Sequence, residues 1–267
     1  MLSTTEPWDL VAAGYAESTM QMLAHFAEDA IAAANLQAGA TILDVACGPG
    51  TLALKVAGKV QAVYGIDFSA LMLNIFQQNI ARSGHQNITI QHGDAQALPY
   101  ADNSFDAAFS MFGLMFFPAR CKGFSEIYRT LKPGGRIAVT SWAAIAQSPA
   151  MQLMFGAMRA IKPETPEPQK SIDTLENPDV FKQEMQDAGF KDVKIQSIRK
   201  AALPVISISA FWKGMVKGSA PIQMMKKALG ETAWKEKESL AIKYLEAQLT
   251  TLPTTLSLDA WLGLGIK

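Results

Sequence analysis

The stretch that decides the fold, residues 41–51, reads TILDVACGPGT. It begins as an apolar run with β-branched residues, carries one acidic residue, Asp44, and ends in two glycines, Gly48 and Gly50. A buried strand that stops at a glycine-rich turn and leads into a helix indicates a nucleotide-binding design, because glycine lets the backbone approach a ligand closely. Asp44 would repel a diphosphate, whereas it would suit a ligand that carries an amino group or a positive charge.

The pattern of strand and helix continues after this stretch. Further strands are predicted over residues 60–67, 87–92, 104–111 and 136–142, and the helices between them over 51–56, 69–83 and about 118–131. One or two helices over residues 8–35 precede the first strand. Five strands that alternate with helices predict βαβ units, and hence a doubly wound α/β fold with a mainly parallel sheet.

Beyond residue 142 the alternation is looser. Helices are predicted over 151–161 and 177–188, a Pro-rich exposed loop over 162–168, a sixth strand over 191–200, a largely helical region over 207–249 and a closing strand over 255–266. We therefore predict a single domain, 1–267. Its parts are an N-terminal helical cover (1–37), a cofactor-binding core (38–142), the rest of the core (143–204), a helical cap insertion (205–252) and a closing strand (253–267).

Composition and charge narrow the class of protein. Hydrophobic residues make up 49% and charged residues 18% of the chain, which is enough for a sizeable core. Lys+Arg 24 balances Asp+Glu 24, so there is no electrostatic case for nucleic acid as a partner. The two cysteines are too few for a disulfide framework. The first ten residues lack a basic signal-peptide segment, and no apolar run reaches the roughly 18 residues of a spanning helix. We expect a cytoplasmic protein without stable membrane insertion.

Polar side chains follow the ends of four predicted strands, namely Asp44, Asp67, Asp94 and Ser110. In an open α/β sheet, ligands bind outside the carboxyl ends of the strands. Asp67 follows Gly50 at close to the roughly 20-residue spacing at which an acidic residue binds ribose hydroxyls. Asp94 could accept from an exocyclic amine, and Ala95 could offer a backbone N–H to a ring nitrogen. Together these residues predict an adenosine site.

Two cofactor classes fit an adenosine site. Residues 48–53, GPGTLA, satisfy the loose G-x-G-x-x-G/A fingerprint of dinucleotide-binding proteins. However, Asp44 would lie near the diphosphate, and Pro49 removes a backbone donor between the glycines. A sulfonium ligand with an α-amino acid tail meets neither objection, because a carboxylate favours its positive charges.

Four segments, residues 42–50, 64–69, 93–99 and 131–136, resemble in order the motifs of class I S-adenosylmethionine-dependent methyltransferases of the ubiquinone/menaquinone-biosynthesis type. The resemblance implies a Rossmann-like, seven-stranded sheet with an antiparallel last strand, N-terminal helices, and a helical cap inserted before the last strand. It implies S-adenosylmethionine as the cofactor and methyl transfer by in-line displacement as the reaction. The cofactor-binding residues that it implies are Asp44, Ala46, Gly48, Gly50, Asp67, Phe68, Met72, Asp94, Ala95, Ser110 and Met111.

The resemblance also implies a role for these residues. Gly48 and Gly50 pack under the methionine portion, and Asp44 acts on its ammonium side, partly through water. Asp67 binds the ribose hydroxyls, and Asp94 reads the adenine edge together with the next residue. The remaining side chains cover adenine or lie where cofactor meets acceptor, namely Phe68 and Met72, and Ser110 and Met111.

The methyl acceptor is predicted to be a small apolar or amphipathic molecule, because the apolar stretch 111–117 directly follows the fourth strand. The segment with Trp8 and Tyr15 could complete an apolar pocket. For the cap helices two interpretations stay open: they line this pocket, or they form a lid core or a homodimer interface. Their large side chains are Trp212, Met215, Met224 and Met225.

A general base is needed only if the acceptor must lose a proton, and the candidates are Tyr15, His92 and Tyr100. The three histidines make no metal-ligand spacing, so no metal is expected. Cys47 is interpreted as a small buried filler, since methyl transfer needs no covalent intermediate. The alternatives to methyl transfer are an NAD-dependent oxidoreductase and a non-catalytic cofactor-binding regulatory module. If the site is correctly placed, Asp44→Asn or Gly50→Val weakens binding of S-adenosylhomocysteine and leaves the chain folded.

Overall fold

A computed structural model describes residues 2–166 and 174–267. The chain begins with α1 (Glu6–Gly14), a π-helical turn (Tyr15–Thr19) and α2 (Met20–Ala34). The remaining elements are β1 (Thr41–Val45), α3 (Thr51–Val56), β2 (Ala62–Asp67), α4 (Ala70–Ser83), β3 (Ile88–His92), β4 (Phe105–Met111), α5 (Arg120–Thr130), β5 (Leu131–Trp142), α6 (Pro149–Ile161), α7 (Pro178–Asp187), β6 (Lys191–Val205), α8 (Ile208–Gly218), α9 (Ala220–Leu229), α10 (Glu231–Gln248) and β7 (Thr254–Ile266). Of the predicted loop over 162–168, residues 167 and 168 lie outside the described residues.

The strands form a seven-stranded sheet in the order β3-β2-β1-β4-β5-β7-β6. Strands β1 to β5 pair in parallel, and β7 runs antiparallel to both β5 and β6. Helices α8 to α10 lie between β6 and β7 in the chain, as the predicted cap does. The structure therefore confirms the Rossmann-like, doubly wound fold. The strand order reverses between β1 and β4, which is where such sheets bind their ligands.

The sheet is buried on both faces, as the apolar run of β1 requires. Ile42 contributes to one core cluster, together with Phe26 of α2 and Leu52 of α3. Leu43 points to the opposite face and joins the second cluster, which includes Phe124 of α5 and Phe181 of α7. Successive side chains of β1 thus contribute to the core clusters on both faces of the sheet, and the carboxyl end of β1 lies between these two clusters.

One difference from the predicted elements lies in β5. A strand was predicted from Arg136 after a helix that ends at about 131, but the strand begins at Leu131. The pairing with β4 passes from Phe105↔Leu131 to Ala107↔Arg136, so the intervening residues bulge out of the ladder. The bulge is stabilised because its backbone finds a hydrogen-bond partner near residue 267: the Gly134 N–H donates to the Lys267 carbonyl oxygen at 3.0 Å. Such a long-range partner leaves no periodic signal in the sequence.

The two glycines of the β1–α3 turn, Gly48 and Gly50, have different steric surroundings. Both adopt positive φ, Gly48 at 53° and Gly50 at 91°. A Cβ at Gly50 would lie 2.1 Å from Cε2 of Phe76, which is fully buried, whereas a Cβ at Gly48 would meet nothing within 4 Å. Gly50 is therefore a packing position between α3 and α4. The expectation that Gly50→Val leaves the chain folded is wrong on steric grounds.

We predict that Gly50→Ala lowers the free energy of unfolding by several kcal/mol. Overpacking against Phe76 costs roughly 1–3 kcal/mol, and the left-handed backbone costs a further ~1–2 kcal/mol. Gly48→Ala is the matched control, because it carries the backbone cost alone. Urea denaturation of both variants measures the difference, and equal destabilisation would contradict the assigned packing role.

Candidate active site

A cavity of about 320 Å³ opens at the carboxyl ends of β1, β2 and β4, a volume typical of small-ligand sites. Its walls come from the N-terminal segment, the strand ends and the turn after β4. The lining residues are Leu2, Ser3, Trp8, Tyr15, Ala46, Gly48, Ile66, Asp67, Phe68, Met72, Gly93, Asp94, Ala95, Gln96, Met111, Phe112, Gly113, Phe116, Phe117 and Pro118.

The turn after β1 forms the floor of the cavity. Ala46, a residue with a Cβ, has φ 54°, and Gly48 has φ 53°. Left-handed backbone at a non-glycine residue costs about 1–3 kcal/mol and is held by its surroundings. Here the turn after β4 approaches so closely that a Cβ at Gly113 would lie 2.3 Å from the Ala46 Cβ.

Burial raises the pKa of the Cys47 thiol well above its usual value. The thiol is therefore protonated, as a filler residue would be.

Asp67 links the turn after β1 to the end of β2. Its Oδ2 accepts from the Gly48 N–H at 2.8 Å, and its Oδ1 accepts from the Ser69 N–H at 2.9 Å. Burial raises the pKa of this carboxyl, although the backbone donors act in the opposite direction. Asp67 lines the cavity while both of its oxygens are held, so its position is fixed by the protein before any ligand arrives.

Asp44 lies beneath the floor and does not line the cavity. Its side chain is buried, and no described residue forms a hydrogen bond with Oδ2. Burial raises the pKa of Asp44 to about 8, the Ala53 backbone N–H lowers it, and the negative charge of Asp67 raises it. A buried carboxyl with one unpartnered oxygen is costly and therefore points to a missing partner.

The side of the cavity that carries the predicted adenine contacts is formed by Phe68, Met72, Asp94 and Ala95. The Asp94 carboxylate is held within its own loop, since Oδ1 accepts from the Gln96 backbone N–H at 2.8 Å. Gln96 in turn accepts from the Ala119 N–H at 2.9 Å and so joins this loop to the region after β4. Asp94 keeps further acceptor capacity for a ligand.

The end of β4 separates two predicted site residues. Met111 lines the cavity, whereas Ser110 is buried and its hydroxyl accepts from the Leu114 N–H at 3.2 Å. Ser110 therefore shapes the turn after β4 and does not line the cavity. Phe112 has φ 59° and stacks on Trp142 with ring centroids 3.9 Å apart, which fixes the aromatic wall that follows.

Of the three candidate bases, Tyr15 alone lines the cavity. Burial and the charge of Asp67 raise the pKa of the Tyr15 phenol well above its usual value, so the phenol is a hydrogen-bond donor rather than a base. His92 Nε2 lies 2.9 Å from the Phe68 carbonyl oxygen and supports the loop from outside. Tyr100 packs edge-on against Phe105 at 5.1 Å, and burial raises its pKa to about 12. The structure places neither His92 nor Tyr100 against the cavity.

The cap helices form a core of their own. Trp212 stacks on Trp234 with centroids 6.1 Å apart and donates to Glu238 Oε1 at 2.9 Å. Trp212 and Met225 are buried in the same cluster as residues of α2 and α6. None of Trp212, Met215, Met224 and Met225 lines the cavity. Of the two interpretations left open, the structure therefore does not support the one in which these side chains line the pocket, and it leaves a lid core or a homodimer interface as the prediction.

Several lining residues escaped prediction. Leu2 and Ser3 carry no sequence signal, because the path of a chain terminus depends on tertiary contacts. Gln96 and Pro118 could have been predicted: the first follows Asp94 in a recognised motif, and the second directly follows the apolar stretch 111–117.

Across the described ranges, no helix is long and apolar enough to cross a membrane. The same ranges contain no group of three His, Cys, Asp or Glu side chains arranged as metal ligands.

The lining distinguishes between the two cofactor classes considered above. Among the described residues of the cavity wall, Asp67 and Asp94 carry charge and no Lys or Arg is present. An acidic wall above a buried, unpartnered carboxyl oxygen fits a cation-bearing nucleoside and disfavours a diphosphate. The fold and this site define an α/β protein that binds such a cofactor at the topological switch point.

Comparison with known proteins agrees. A family model described as a methyltransferase domain matches residues 42–135. A demethylmenaquinone methyltransferase from Shouchella clausii is 33% identical over 193 residues, which is 67% of this chain and 82% of the relative. The chain belongs to the class I S-adenosylmethionine-dependent methyltransferases, of the ubiquinone/menaquinone-biosynthesis type, and S-adenosylmethionine is its cofactor. Neither alternative to methyl transfer receives support.

Solved structures share the fold. The YcgJ protein from Bacillus subtilis superposes with a TM-score of 0.60 at 23% identity, over 91% of this chain and 98% of the other. Haemonchus contortus phosphoethanolamine N-methyltransferase 2, solved in complex with S-adenosyl-L-methionine, gives a TM-score of 0.55 at 18% identity, over 91% of this chain and 52% of the other.

The buried carboxyl of Asp44 yields a prediction about the ligand-free protein. Its folded-state pKa of about 8 lies above the value of about 3.9 for an unfolded chain. The unfolded state therefore ionises first, and the free energy of unfolding falls as pH rises between these two values. We expect Asp44→Asn to flatten this fall, as measured by denaturation between pH 5 and 8. Exposed Asp187→Asn is the control and should leave the slope unchanged; an unchanged slope in Asp44→Asn would contradict the raised pKa.

Proposed function

We propose that the cavity binds S-adenosylmethionine through residues that the family resemblance assigns. Gly48 and Ala46 would lie against the methionine portion, with Asp44 acting on the ammonium group through the floor. Asp67 would bind the ribose hydroxyls. Phe68 and Met72 would enclose the adenine ring, while Asp94 and Ala95 would read its edge. What supports this set is the agreement between an acidic lining and a cationic ligand.

We further propose that the methyl acceptor is a small apolar, aromatic molecule. The observation that carries this proposal is the aromatic wall beside Met111, formed by Phe116, Phe117 and Trp8. Trp8 and Phe116 contact each other with centroids 5.1 Å apart. Flat aromatic walls favour flat aromatic ligands through offset or edge-on ring contacts. The name of the Shouchella clausii relative, which specifies a quinone, supports an acceptor of this class.

The protein contributes to the reaction by positioning the methyl acceptor against the cofactor. S-adenosylmethionine supplies an activated methyl group on a sulfonium. The protein holds the acceptor against the β4 end, next to the floor that holds the cofactor. Fixing two reactants at near-attack distance is worth on the order of 7–11 kcal/mol of the barrier. The aromatic wall and the N-terminal segment also exclude water from the reacting atoms.

The titratable groups along the wall constrain the acceptor further. Among the described lining residues these are Tyr15, Asp67 and Asp94. The phenol has a raised pKa, and the two carboxylates are engaged by backbone N–H groups. We infer that the acceptor nucleophile ionises without a strong protein base, as an acidic phenol or enol does.

We also propose a cytoplasmic location, in keeping with the two free cysteines.

Cofactor binding should be linked to the ionisation of Asp44. The ligand's ammonium group above the floor favours the charged carboxylate, so binding releases a proton and tightens as pH rises from 6 towards 8. We expect the affinity for S-adenosylhomocysteine, measured by calorimetry, to rise several-fold over this range in the natural protein. Asp44→Asn should bind at least tenfold more weakly at pH 8 and show no such rise. Equal affinities and slopes would mean that Asp44 plays no part in the site.

The acceptor proposal is tested by transfer of radiolabel from S-adenosylmethionine into fractionated lipid and metabolite extracts, followed by purified aromatic acceptors. Once an acceptor is known, Phe116→Ala should raise its KM about tenfold and leave the affinity for S-adenosylhomocysteine within twofold, because Phe116 borders the acceptor side. Met115→Ala is the matched control, since Met115 lies in the same turn but contacts Ser141 instead. Label found only in protein or RNA would refute the proposal.

A further inference from the structure

The N-terminal segment forms one whole wall of the cavity. Leu2, Ser3, Trp8 and Tyr15 face the cofactor turn and the aromatic wall. The Trp8 indole Nε1–H donates to the Leu2 carbonyl oxygen at 2.9 Å, which folds the first residues back over α1. A displacement of α1 would therefore open this side of the cavity.

One hydrogen bond joins this wall to the cofactor-binding turn. Asp9, on α1, accepts from the Ser69 hydroxyl at 2.6 Å between Oδ1 and Oγ. Ser69 is buried and is the N-cap of α4, where its Oγ also accepts from the Met72 N–H at 3.1 Å. Its own N–H donates to Asp67, which in turn accepts from Gly48. A continuous chain of hydrogen bonds therefore runs from α1 to the floor of the cavity.

Two ion pairs of the segment lead away from the cofactor turn. Glu6 pairs with Lys227 on α9, and Glu17 pairs with Lys217 on α8. Both pairs are largely exposed, and exposed pairs contribute little to stability. At the far end of α1 the helices are in close contact, since a Cβ at Gly14 would lie 2.2 Å from the Lys217 carbonyl oxygen. The segment is thus packed against α8 near residue 14 and against α4, where Val11 and Ala12 share a buried cluster with Met72. Asp9 adds a polar link to the cofactor turn.

We propose that Asp9 is a positioning residue that latches the N-terminal wall to the cofactor turn and thereby sets the rate at which the cofactor leaves. A hydroxyl that donates to a carboxylate is among the stronger hydrogen bonds in proteins. Breaking it releases α1 from Ser69 and removes no group that lines the cavity. This inference rests on the cofactor location proposed above, and it is independent of the acceptor.

The test is the dissociation rate of S-adenosylhomocysteine, measured by stopped-flow displacement with excess S-adenosylmethionine. Asp9→Ala should raise this rate by about tenfold, the change that corresponds to about 1.4 kcal/mol, while the association rate stays within threefold. Asp9→Asn keeps an acceptor oxygen and should fall in between. Glu6→Ala, on the same helix, is the matched control and should leave the rate within twofold. Thermal midpoints without ligand should stay within a few degrees for all three variants.

A double variant separates the latch from helix capping. Ser69→Ala removes the latch and the α4 cap together, so adding Asp9→Ala to it should not accelerate dissociation further. An unchanged rate in Asp9→Ala, or independent effects of the two substitutions, would overturn the proposal. If the natural protein fails to bind S-adenosylhomocysteine at all, the proposed cofactor site fails instead, and the two failures are thereby distinguished.

Discussion

The carboxylate of Asp67 fixes the relation between three parts of the molecule. It ends β2, and through one oxygen it holds the backbone of the glycine turn after β1, while through the other it holds the start of α4 at Ser69. The bond to Ser69 is buried, and the bond to Gly48 is partly buried at the edge of the cavity. Because a buried carboxylate is costly without donors, each backbone N–H that it binds stabilises both the charge and the shape of the turn. The floor of the site is therefore formed by folding rather than by the ligand.

How far the sequence could predict this molecule depends on the range of the interaction. Strand and helix periodicity, glycine turns and acidic strand ends are local features, and they predicted the mainly parallel sheet and the acidic residues at its edge. The seven-stranded order and the other cofactor contacts came from the family resemblance. Gly50 shows the limit: it satisfies a binding fingerprint, yet its lack of a side chain serves the packing of Phe76. Tyr100 and His92 show it again, because each is near the site in sequence and outside it in space. Which way a side chain points is decided by partners that no spacing rule identifies.

The contacts of the N-terminal segment join residues that are distant in the chain. Asp9 and Ser69 are 60 positions apart, and the cap helices contact the N-terminal segment through Gly14 and Gly218. A Cβ at Gly218 would lie within 2.5 Å of the hydroxyls of Ser18 and Thr19. Two regions that are distant in the chain thus pack together, although only the N-terminal segment lines the cavity. The sequence pattern correctly predicted helices in the N-terminal segment and in the cap, but it could not predict which of the two regions lines the cavity.

The position of β7 has a consequence for how the chain matures during synthesis. This strand is inserted between β5 and β6, so each of those strands needs it as a partner. A nascent chain that has emerged only as far as α10 has an exposed edge on β5 and an unpaired β6, although the cofactor-binding strands are already complete. Exposed strand edges are sites of wrong association. The cap helices, which delay the arrival of residues 254–266, therefore lengthen the interval in which the growing polypeptide depends on protection by chaperones.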